Sequence, residues 1–309
     1  MSHTPQQLDE HFETYAEDVG DILRSLGQRW GCYEQLDDEY DTTDQRRCAL
    51  GYAYPQGSTS GHVFVAFWYG GTGEITVDEE GRNVGVNLPA DGYPLARIQV
   101  DLVAEHMASD FLIDGKHMVH SPGELKDRVH VMFNDDHWNL VSDAVEENAA
   151  LYRQYVKLEA LYRASMMPLA KTLQKMGESW GGEEQTDNTP DPDDSKGGGL
   201  FGGGGGKKRF FVGYRAPAFR KNERGEAKAS PAGVWLDLWQ GKNGNIKKGK
   251  TARMVDLTDK PTAKITISFA PDGSAMQVEG IPQAKATTPD EMRVLLTQLW
   301  KQDAFKLRR

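Results

Sequence analysis

Lysine, arginine and tryptophan residues that could hold phosphates and stack on bases concentrate in the last third of the chain. Residues 201–309 contain 21 Lys/Arg and 10 Asp/Glu. Basic side chains release counterions from phosphates, and exposed aromatic rings stack on unpaired bases without reading their sequence. We therefore predict a surface that binds single-stranded DNA or RNA, formed by Lys207, Lys208, Arg209, Arg215, Arg220, Lys221, Trp235, Trp239, Lys242, Lys247, Lys248, Lys250, Arg253 and Lys264.

The alternation of residues along the predicted strands assigns the two tryptophans to one sheet face. Val234, Leu236 and Leu238 form the apolar, core-facing set, whereas Trp235, Asp237 and Trp239 form the opposite set. An aspartate between two tryptophans, beside Lys264, Thr266 and Ser268, favours a solvated face that carries aromatic rings. The alternative is that these rings pack against the other half of the chain or a dimer mate. The protein would then be a protein-binding adaptor or chaperone-like homodimer.

A glycine run at residues 197–206, followed by Lys207 and Lys208, superficially resembles a phosphate-binding loop. A Walker A loop requires Gly, four residues and then Gly-Lys-Ser/Thr. Here Phe201 occupies the first glycine position and Lys208 occupies the Ser/Thr position. Because the run also follows the Pro- and Asp-rich residues 189–194, we predict a flexible linker.

The histidines of the first half do not form a recognisable metal site. His117 and His120 are three residues apart in a strand-turn region, so their rings do not share one strand face. No Cys pair or His-Glu-x-x-His motif accompanies them. We predict no metal and no cofactor for the cluster that consists of His106, His117, His120, His130 and His137 with Asp114, Asp135 and Asp136.

Motifs for hydrolytic or dinucleotide chemistry are missing from the sequence. It contains no Gly-x-Ser-x-Gly elbow and no Gly-x-Gly-x-x-Gly between a strand and a helix. We therefore predict a non-enzymatic binding protein. A single bridge between Cys32 and Cys48 is possible, but we expect two reduced thiols in a cytoplasmic protein. The mean hydropathy is −0.62, and neither a membrane span nor a secretory signal is expected.

Charge divides the chain sharply. The net charge is −19 for residues 1–150, −2 for residues 151–200 and +11 for residues 201–309. Charge asymmetry of this size indicates interaction with a partner. The two halves could attract each other, within one chain or between chains. If the basic half binds nucleic acid, the acidic half would dock a protein partner or compete for the basic face.

An internal repeat supplies the elements that must position these residues. Five blocks recur in the same order, which predicts a tandem duplication. The matched ranges are 23–31 with 173–181, 47–55 with 209–217, 63–75 with 234–246, 94–98 with 261–265, and 121–124 with 288–291.

Each copy follows the same predicted plan. An amphipathic helix opens it, four or five short antiparallel strands follow, and a closing helix begins at Ser121-Pro122 or Thr288-Pro289. The fold class is therefore α+β. We predict a first repeat at 1–138, a connecting helical segment at 139–180, a linker at 181–208, and the second sheet and closing helix at 209–309. In topology only, this plan is similar to the Pur and Whirly nucleic-acid-binding folds and to secretion-chaperone-like folds.

Overall fold

The computed structural model describes residues 4–37, 40–56, 59–79, 81–103, 110–140, 144–189, 207–222, 227–257 and 261–307. Over these ranges the chain forms four helices and eighteen strands, paired almost entirely antiparallel, which is the predicted α+β class. Contacts divide the chain into a first unit, mainly residues 1–153, and a second unit, mainly residues 154–309. No helix within these described ranges has the length and apolarity needed to cross a membrane.

The first unit opens with helix α1 (Pro5–Trp30), whose two ends are fixed by local sequence. The Thr4 hydroxyl accepts from the Gln7 amide, and the Gln7 side chain accepts from the Thr4 amide at 3.0 Å. Gly31, with a φ of 72°, ends the helix in the left-handed region. The predicted amphipathic helix is confirmed, because α1 buries the apolar residues Leu8, Phe12, Val19, Ile22, Leu23, Leu26 and Trp30.

A six-stranded sheet lies in the order β1-β2-β3-β6-β7-β8 in this unit, with a separate β4–β5 hairpin and a second helix α2. Only β1 and β2 pair in parallel within this sheet. The bounds are β1 Tyr33–Glu34, β2 Gln45–Ala53, β3 His62–Gly70, β4 Glu74–Val77, β5 Asn83–Asn87, β6 Tyr93–Val103, β7 Asp110–Ile113, β8 His117–Val119 and α2 Pro122–Asn134.

The second unit contains the larger sheet, in the order β14-β15-β10-β13-β16-β17-β18, with β9 parallel to β10 and a separate β11–β12 hairpin. Helix α3 leads into this unit and helix α4 follows its last strand. The bounds are α3 Val145–Ser179, β9 Glu183–Glu184, β10 Lys208–Arg215, β11 Ala218–Lys221, β12 Ala227–Ser230, β13 Gly233–Gln240, β14 Asn245–Lys248, β15 Ala252–Asp256, β16 Ala263–Phe269, β17 Met276–Val278, β18 Lys285–Ala286 and α4 Pro289–Lys301.

The predicted core-facing residues are buried in both units. Each set belongs to a hydrophobic cluster that also contains residues of the helices. In the central strands β3 and β13 the residues between these core-facing positions are buried as well, so both faces of these two strands are covered. The buried sets are Val63, Val65, Phe67, Ile98, Val100 and Leu102 in the first unit, and Val234, Leu236, Leu238, Ile265, Ile267 and Phe269 in the second.

Several contacts recur at positions that the sequence repeat aligns. The indole Nε1 of Trp68 donates to the Gly71 carbonyl at 2.9 Å, and that of Trp239 donates to the Lys242 carbonyl at 2.8 Å. A glutamine directly after the first short strand of each sheet, Gln35 after β1 or Gln185 after β9, bonds both the amide and the carbonyl of a turn glycine, Gly73 or Gly244. These pairs support the duplication, which remains a prediction.

The starts of the two closing helices are confirmed. The Ser121 hydroxyl accepts from the Glu124 amide, and the Thr288 hydroxyl accepts from the Glu291 amide. Satisfying a first-turn amide in this way stabilises a helix start by about 1 kcal/mol.

The expectation of two reduced thiols is wrong for this structure, which joins Cys32 to Cys48 in a disulfide. The left-handed Gly31 turns the chain from α1 into β1, and the parallel β1–β2 pairing places the two Cα atoms 6.0 Å apart. Gly27 leaves the necessary space, because a Cβ atom there would lie 2.8 Å from the Cys48 sulfur.

The connecting segment contains one continuous helix, α3, which includes Pro168 within its length. Part of the predicted 181–208 linker is ordered: β9 pairs with β10, and the Asn188 side chain bonds both the amide and the carbonyl of Ile246. The glycine run at residues 197–206 lies outside the described residues.

Candidate nucleic-acid interface of the second unit

The fourteen residues of the predicted interface all lie in the second unit, but only ten of them are exposed. Arg253 is half-buried, and Arg209, Trp235 and Trp239 are buried. The exposed members are Lys207, Lys208, Arg215, Arg220, Lys221, Lys242, Lys247, Lys248, Lys250 and Lys264. Ten of the predicted cations are therefore exposed, whereas both aromatic rings and two of the arginines are not.

Trp239 is not on a solvated face. Its side chain is 1% exposed and packs in a small apolar cluster with Phe211 and Ile246, to which Val255 and Leu257 add partly buried surface. Ile246 and Val255 belong to the β14–β15 hairpin, which covers this end of the outward sheet face. The predicted exposure of Trp239 is wrong because the hairpin supplies a second apolar layer.

Trp235 lies nearer the open end of the same face, yet it is only 8% exposed. Gly213 lies directly opposite on β10, and a Cβ atom there would lie 2.3 Å from the Trp235 indole nitrogen. The Lys264 ammonium lies 4.9 Å from the ring centroid, which is within cation–π range. The prediction of a freely exposed ring is therefore wrong here too, because neighbouring groups already contact it.

Asp237, which we predicted to lie on a solvated face, is only 4% exposed. It lies opposite Lys264 in the β13–β16 register, and the Lys264 ammonium approaches its Oδ1 at 3.2 Å. Burial raises the pKa of Asp237, and this outweighs the lowering by Lys264 and by a hydrogen bond with Trp235. Lys264 thus neutralises a buried carboxylate while its own side chain remains half exposed.

Arg209 and Arg253 make contacts within the second unit, so they are poorly placed to bind a ligand. The Arg209 Nε donates to the Gly241 carbonyl at 2.8 Å. The Arg253 guanidinium lies 4.7 Å from the Phe211 ring centroid and donates to the Thr186 carbonyl at 3.0 Å. Each guanidinium group therefore donates a hydrogen bond to a backbone carbonyl of the second unit.

Three lysines of the hairpin, Lys247, Lys248 and Lys250, are exposed. Lys247 pairs with Asp256 across the two strands at 2.5 Å. Within the described part of the chain, no ion pair is formed by the ammonium groups of Lys248 or Lys250. The aligned hairpin of the first unit instead carries Glu74, Asp78 and Glu79, with Arg82 as its one described cation. The β14–β15 hairpin is therefore basic, whereas the aligned hairpin of the first unit is acidic.

A groove of about 280 Å³ lies beside Trp235 on the part of the outward face that the hairpin leaves uncovered. Arg215 supplies positive charge, and Thr266 and Ser268 supply hydroxyl groups. The Lys264 ammonium is paired with Asp237, and Glu279 adds a carboxylate to the groove. The groove can therefore accept an anionic group together with a small polar or flat moiety. Its full lining is Arg215, Pro231, Ala232, Gly233, Trp235, Met254, Lys264, Thr266, Ser268 and Glu279.

The remaining predicted cations lie away from the groove. Lys207 pairs with Glu183, and the Lys208 ammonium donates to the Trp180 carbonyl at 3.2 Å. Arg220 and Lys221 lie on β11, opposite β12. Sequence reasoning missed Lys228, an exposed residue that β12 places directly across from Arg220.

No group of three or more His, Cys, Asp or Glu side chains in the described ranges could hold a metal ion. His117 and His137 contact each other edge to face, with ring centroids 5.8 Å apart. The His120 Nδ1 lies 2.6 Å from Asp110, which raises the pKa of His120. His106 lies outside the described residues.

Function has to be argued from this geometry alone. The exposed cations, the hairpin and the groove supply the chemistry that a ligand of the second unit would meet. Comparison with protein-family models, with curated proteins and with solved structures found no match for the chain.

Proposed function

We propose that the second unit binds single-stranded nucleic acid without catalysing a reaction, and that phosphate contacts supply most of the affinity. The observation that carries this proposal is the exposure of three lysines on the β14–β15 hairpin, Lys247, Lys248 and Lys250. Each lysine that neutralises a phosphate releases condensed counterions, so binding is favoured most at low salt.

The groove beside the hairpin supports a single strand over a duplex. Its volume of about 280 Å³ suits one unpaired nucleotide rather than a double helix. In this arrangement Arg215 holds a phosphate, while Thr266 and Ser268 offer hydroxyl groups to a sugar or base edge. Because Trp235 and Trp239 are covered, base stacking contributes little and the preference among sequences is weak.

The test is a fluorescence anisotropy titration of labelled oligo(dT) with the full-length protein over a salt series. The proposal predicts binding at low salt that weakens steeply as salt rises. Unlabelled single strand should compete better than the same mass of duplex. Absence of binding at low salt would overturn the proposal, and equal competition by duplex would overturn the preference for single strands.

A second candidate function, a protein-binding adaptor or chaperone-like module, is favoured by a different observation. A groove of about 710 Å³ lies between α3 and α4 of the second unit, on elements that carry none of the predicted phosphate contacts. Grooves between helices accept amphipathic segments of partner proteins.

A further inference from the structure

The groove beside Trp235 carries opposite charges on its two sides. Arg215 lies on β10 at one side, and Glu279, which follows β17, lies at the other. The strand register puts Gly233 and Ser268 between them, because Arg215 pairs with Gly233 and Gly233 pairs with Ser268. Gly233 contributes no side chain, which leaves space between the cation and the carboxylate.

Backbone hydrogen bonds fix the position of Glu279. Its amide donates to the Thr266 carbonyl at 2.9 Å, and the Ile281 amide donates to the Val278 carbonyl at 3.2 Å. Gly280, with a φ of 79°, allows this tight turn. Glu279 is exposed, and within the described ranges its carboxylate takes part in no hydrogen bond or ion pair. A carboxylate with free acceptor oxygens is therefore held at the edge of the groove.

The guanidinium group of Arg215 is available to a phosphate. It is exposed and donates to the Met254 sulfur at 3.6 Å, and a thioether is a weak acceptor. Among the residues that the structure describes, none forms an ion pair with Arg215. Lys264, the other cation of the groove, is already paired with Asp237. A phosphate therefore binds best at the Arg215 side, and the rest of the nucleotide extends towards Glu279.

A carboxylate in a groove that binds phosphates restricts which strand can occupy it. Its charge repels the phosphates of any strand, which lowers affinity unless the ligand donates a hydrogen bond to it. Deoxyribose within a strand has no hydroxyl group to donate, whereas every ribose carries a 2′-hydroxyl. In dinucleotide-binding folds, carboxylates accept hydrogen bonds from ribose hydroxyls. Because base donors differ from one base to the next, the 2′-hydroxyl is the donor that RNA of any sequence offers.

We propose that this groove is a ribonucleotide subsite, in which Arg215 holds a phosphate and Glu279 accepts a hydrogen bond from the 2′-hydroxyl of the sugar. The second unit then prefers single-stranded RNA to single-stranded DNA, because only RNA compensates the carboxylate. The hairpin lysines contact phosphates, which both strands share, and therefore add affinity without selectivity. This inference rests on the proposed function and adds to it the type of nucleic acid.

The test is an anisotropy titration of the full-length protein with labelled oligo(rU), oligo(dU) and 2′-O-methyl oligo(U) of equal length. The three strands share one base, and the methylated strand keeps the 2′ oxygen but not its hydrogen. We expect oligo(rU) to bind about tenfold more tightly than either other strand, since a hydrogen bond to a charged acceptor contributes at least this much. Glu279→Ala should tighten oligo(dU) binding and abolish the preference for oligo(rU).

Glu178→Ala is the matched control, because it removes one exposed carboxylate of the second unit on α3, outside the groove. It should leave the ratio of the three affinities unchanged. Equal binding of oligo(rU) and oligo(dU) by the unchanged protein would overturn this inference and leave the proposed function intact. A preference for oligo(rU) that survives Glu279→Ala, or that 2′-O-methylation does not reduce, would do the same. Absence of binding by all three strands at low salt would overturn the proposed function and this inference together.

Discussion

Lys264 contacts both the buried carboxylate of Asp237 and the ring of Trp235. Its ammonium lies 3.2 Å from the Asp237 Oδ1 and 4.9 Å from the centre of the Trp235 ring. One exposed lysine therefore compensates a buried charge and covers an aromatic surface. This relationship explains why a face that carries two tryptophans and an aspartate is not a solvated stacking platform.

Replacing Lys264 should destabilise the second unit. In Lys264→Met the Asp237 carboxylate stays buried and loses its cation, which costs about 1–3 kcal/mol. Urea unfolding would measure the loss. The double variant Asp237→Asn/Lys264→Met should lose less, because no buried charge is left uncompensated. Equal losses in the single and double variants would show that the ion pair does not matter.

Asp237 should make stability depend on pH in a defined direction. Its pKa is raised above the ordinary value of 3.8, so the contribution of its protonated form is complete below that value and is lost as pH rises through the folded-state pKa. The free energy of unfolding of the Asp237→Asn variant, relative to that of the unchanged protein, should therefore increase from acid to neutral pH. Chemical unfolding at several pH values would reveal this.

Asp272 serves as a control, because the pH dependence of its contribution to stability has the opposite sign. Hydrogen bonds from Ser274 lower the pKa of Asp272, so its contribution is present above the ordinary value and is lost as pH falls through the folded-state pKa. Asp272→Asn should cost most at neutral pH. The same pH trend in both variants would contradict the assignment of Asp237.

Removing the ring at position 235 should affect nucleic-acid affinity little. Stacking of one base on an aromatic ring contributes about 1–3 kcal/mol, which corresponds to roughly five- to hundredfold in affinity. Because the Trp235 ring is covered by Lys264 and Gly213, Trp235→Leu should change the dissociation constant by less than about threefold. Circular dichroism would check the fold, and a loss of tenfold or more would restore the stacking hypothesis.

The disulfide should stabilise the first unit measurably. Cys32 and Cys48 are 16 residues apart, and closing a loop of this length contributes about 3 kcal/mol. Cys32→Ala/Cys48→Ala should lower the free energy of unfolding by about this amount. Dithiothreitol should destabilise the unchanged protein in the same way and have no further effect on the variant. Identical stability with and without reductant would contradict the bond.

Sequence patterns predicted the elements that depend on local chemistry. The capping residues Thr288 and Pro289 and the alternation at Val234, Leu236 and Leu238 specify a helix start and a strand face within a few neighbouring residues. They predicted the helices, the core-facing sets and the α+β class. The hairpins at residues 245–256 and 74–87 were read only as strands of a sheet.

The errors arose where distant segments meet. Burial of Trp239 depends on Ile246 and Val255 folding over the sheet, and compensation of Asp237 depends on the β13–β16 register. Neither relationship is visible in the spacing of residues along one strand. The same holds for Cys32 and Cys48, which the parallel β1–β2 pairing brings together. Exposure of the lysines needed no such contact and was predicted correctly.

The proposed function depends on the hairpin lysines, so reversing their charge tests it. Lys247→Glu/Lys248→Glu/Lys250→Glu should weaken oligo(dT) binding strongly and lower the slope of log affinity against log salt by about two, since each phosphate contact contributes about 0.7. The matched control is Lys116→Glu/Lys126→Glu/Arg128→Glu, which makes the same charge change at exposed positions of the first unit.

The decisive measurement is therefore the salt dependence of oligo(dT) anisotropy for these two triple variants beside the unchanged protein. We predict that the hairpin variant loses both affinity and the steepness of its salt dependence, while the control variant keeps both nearly intact. An equal loss in both variants would mean that net charge alone governs binding. An unchanged slope in the hairpin variant would show that the β14–β15 lysines do not contact phosphate, which would contradict the proposed function.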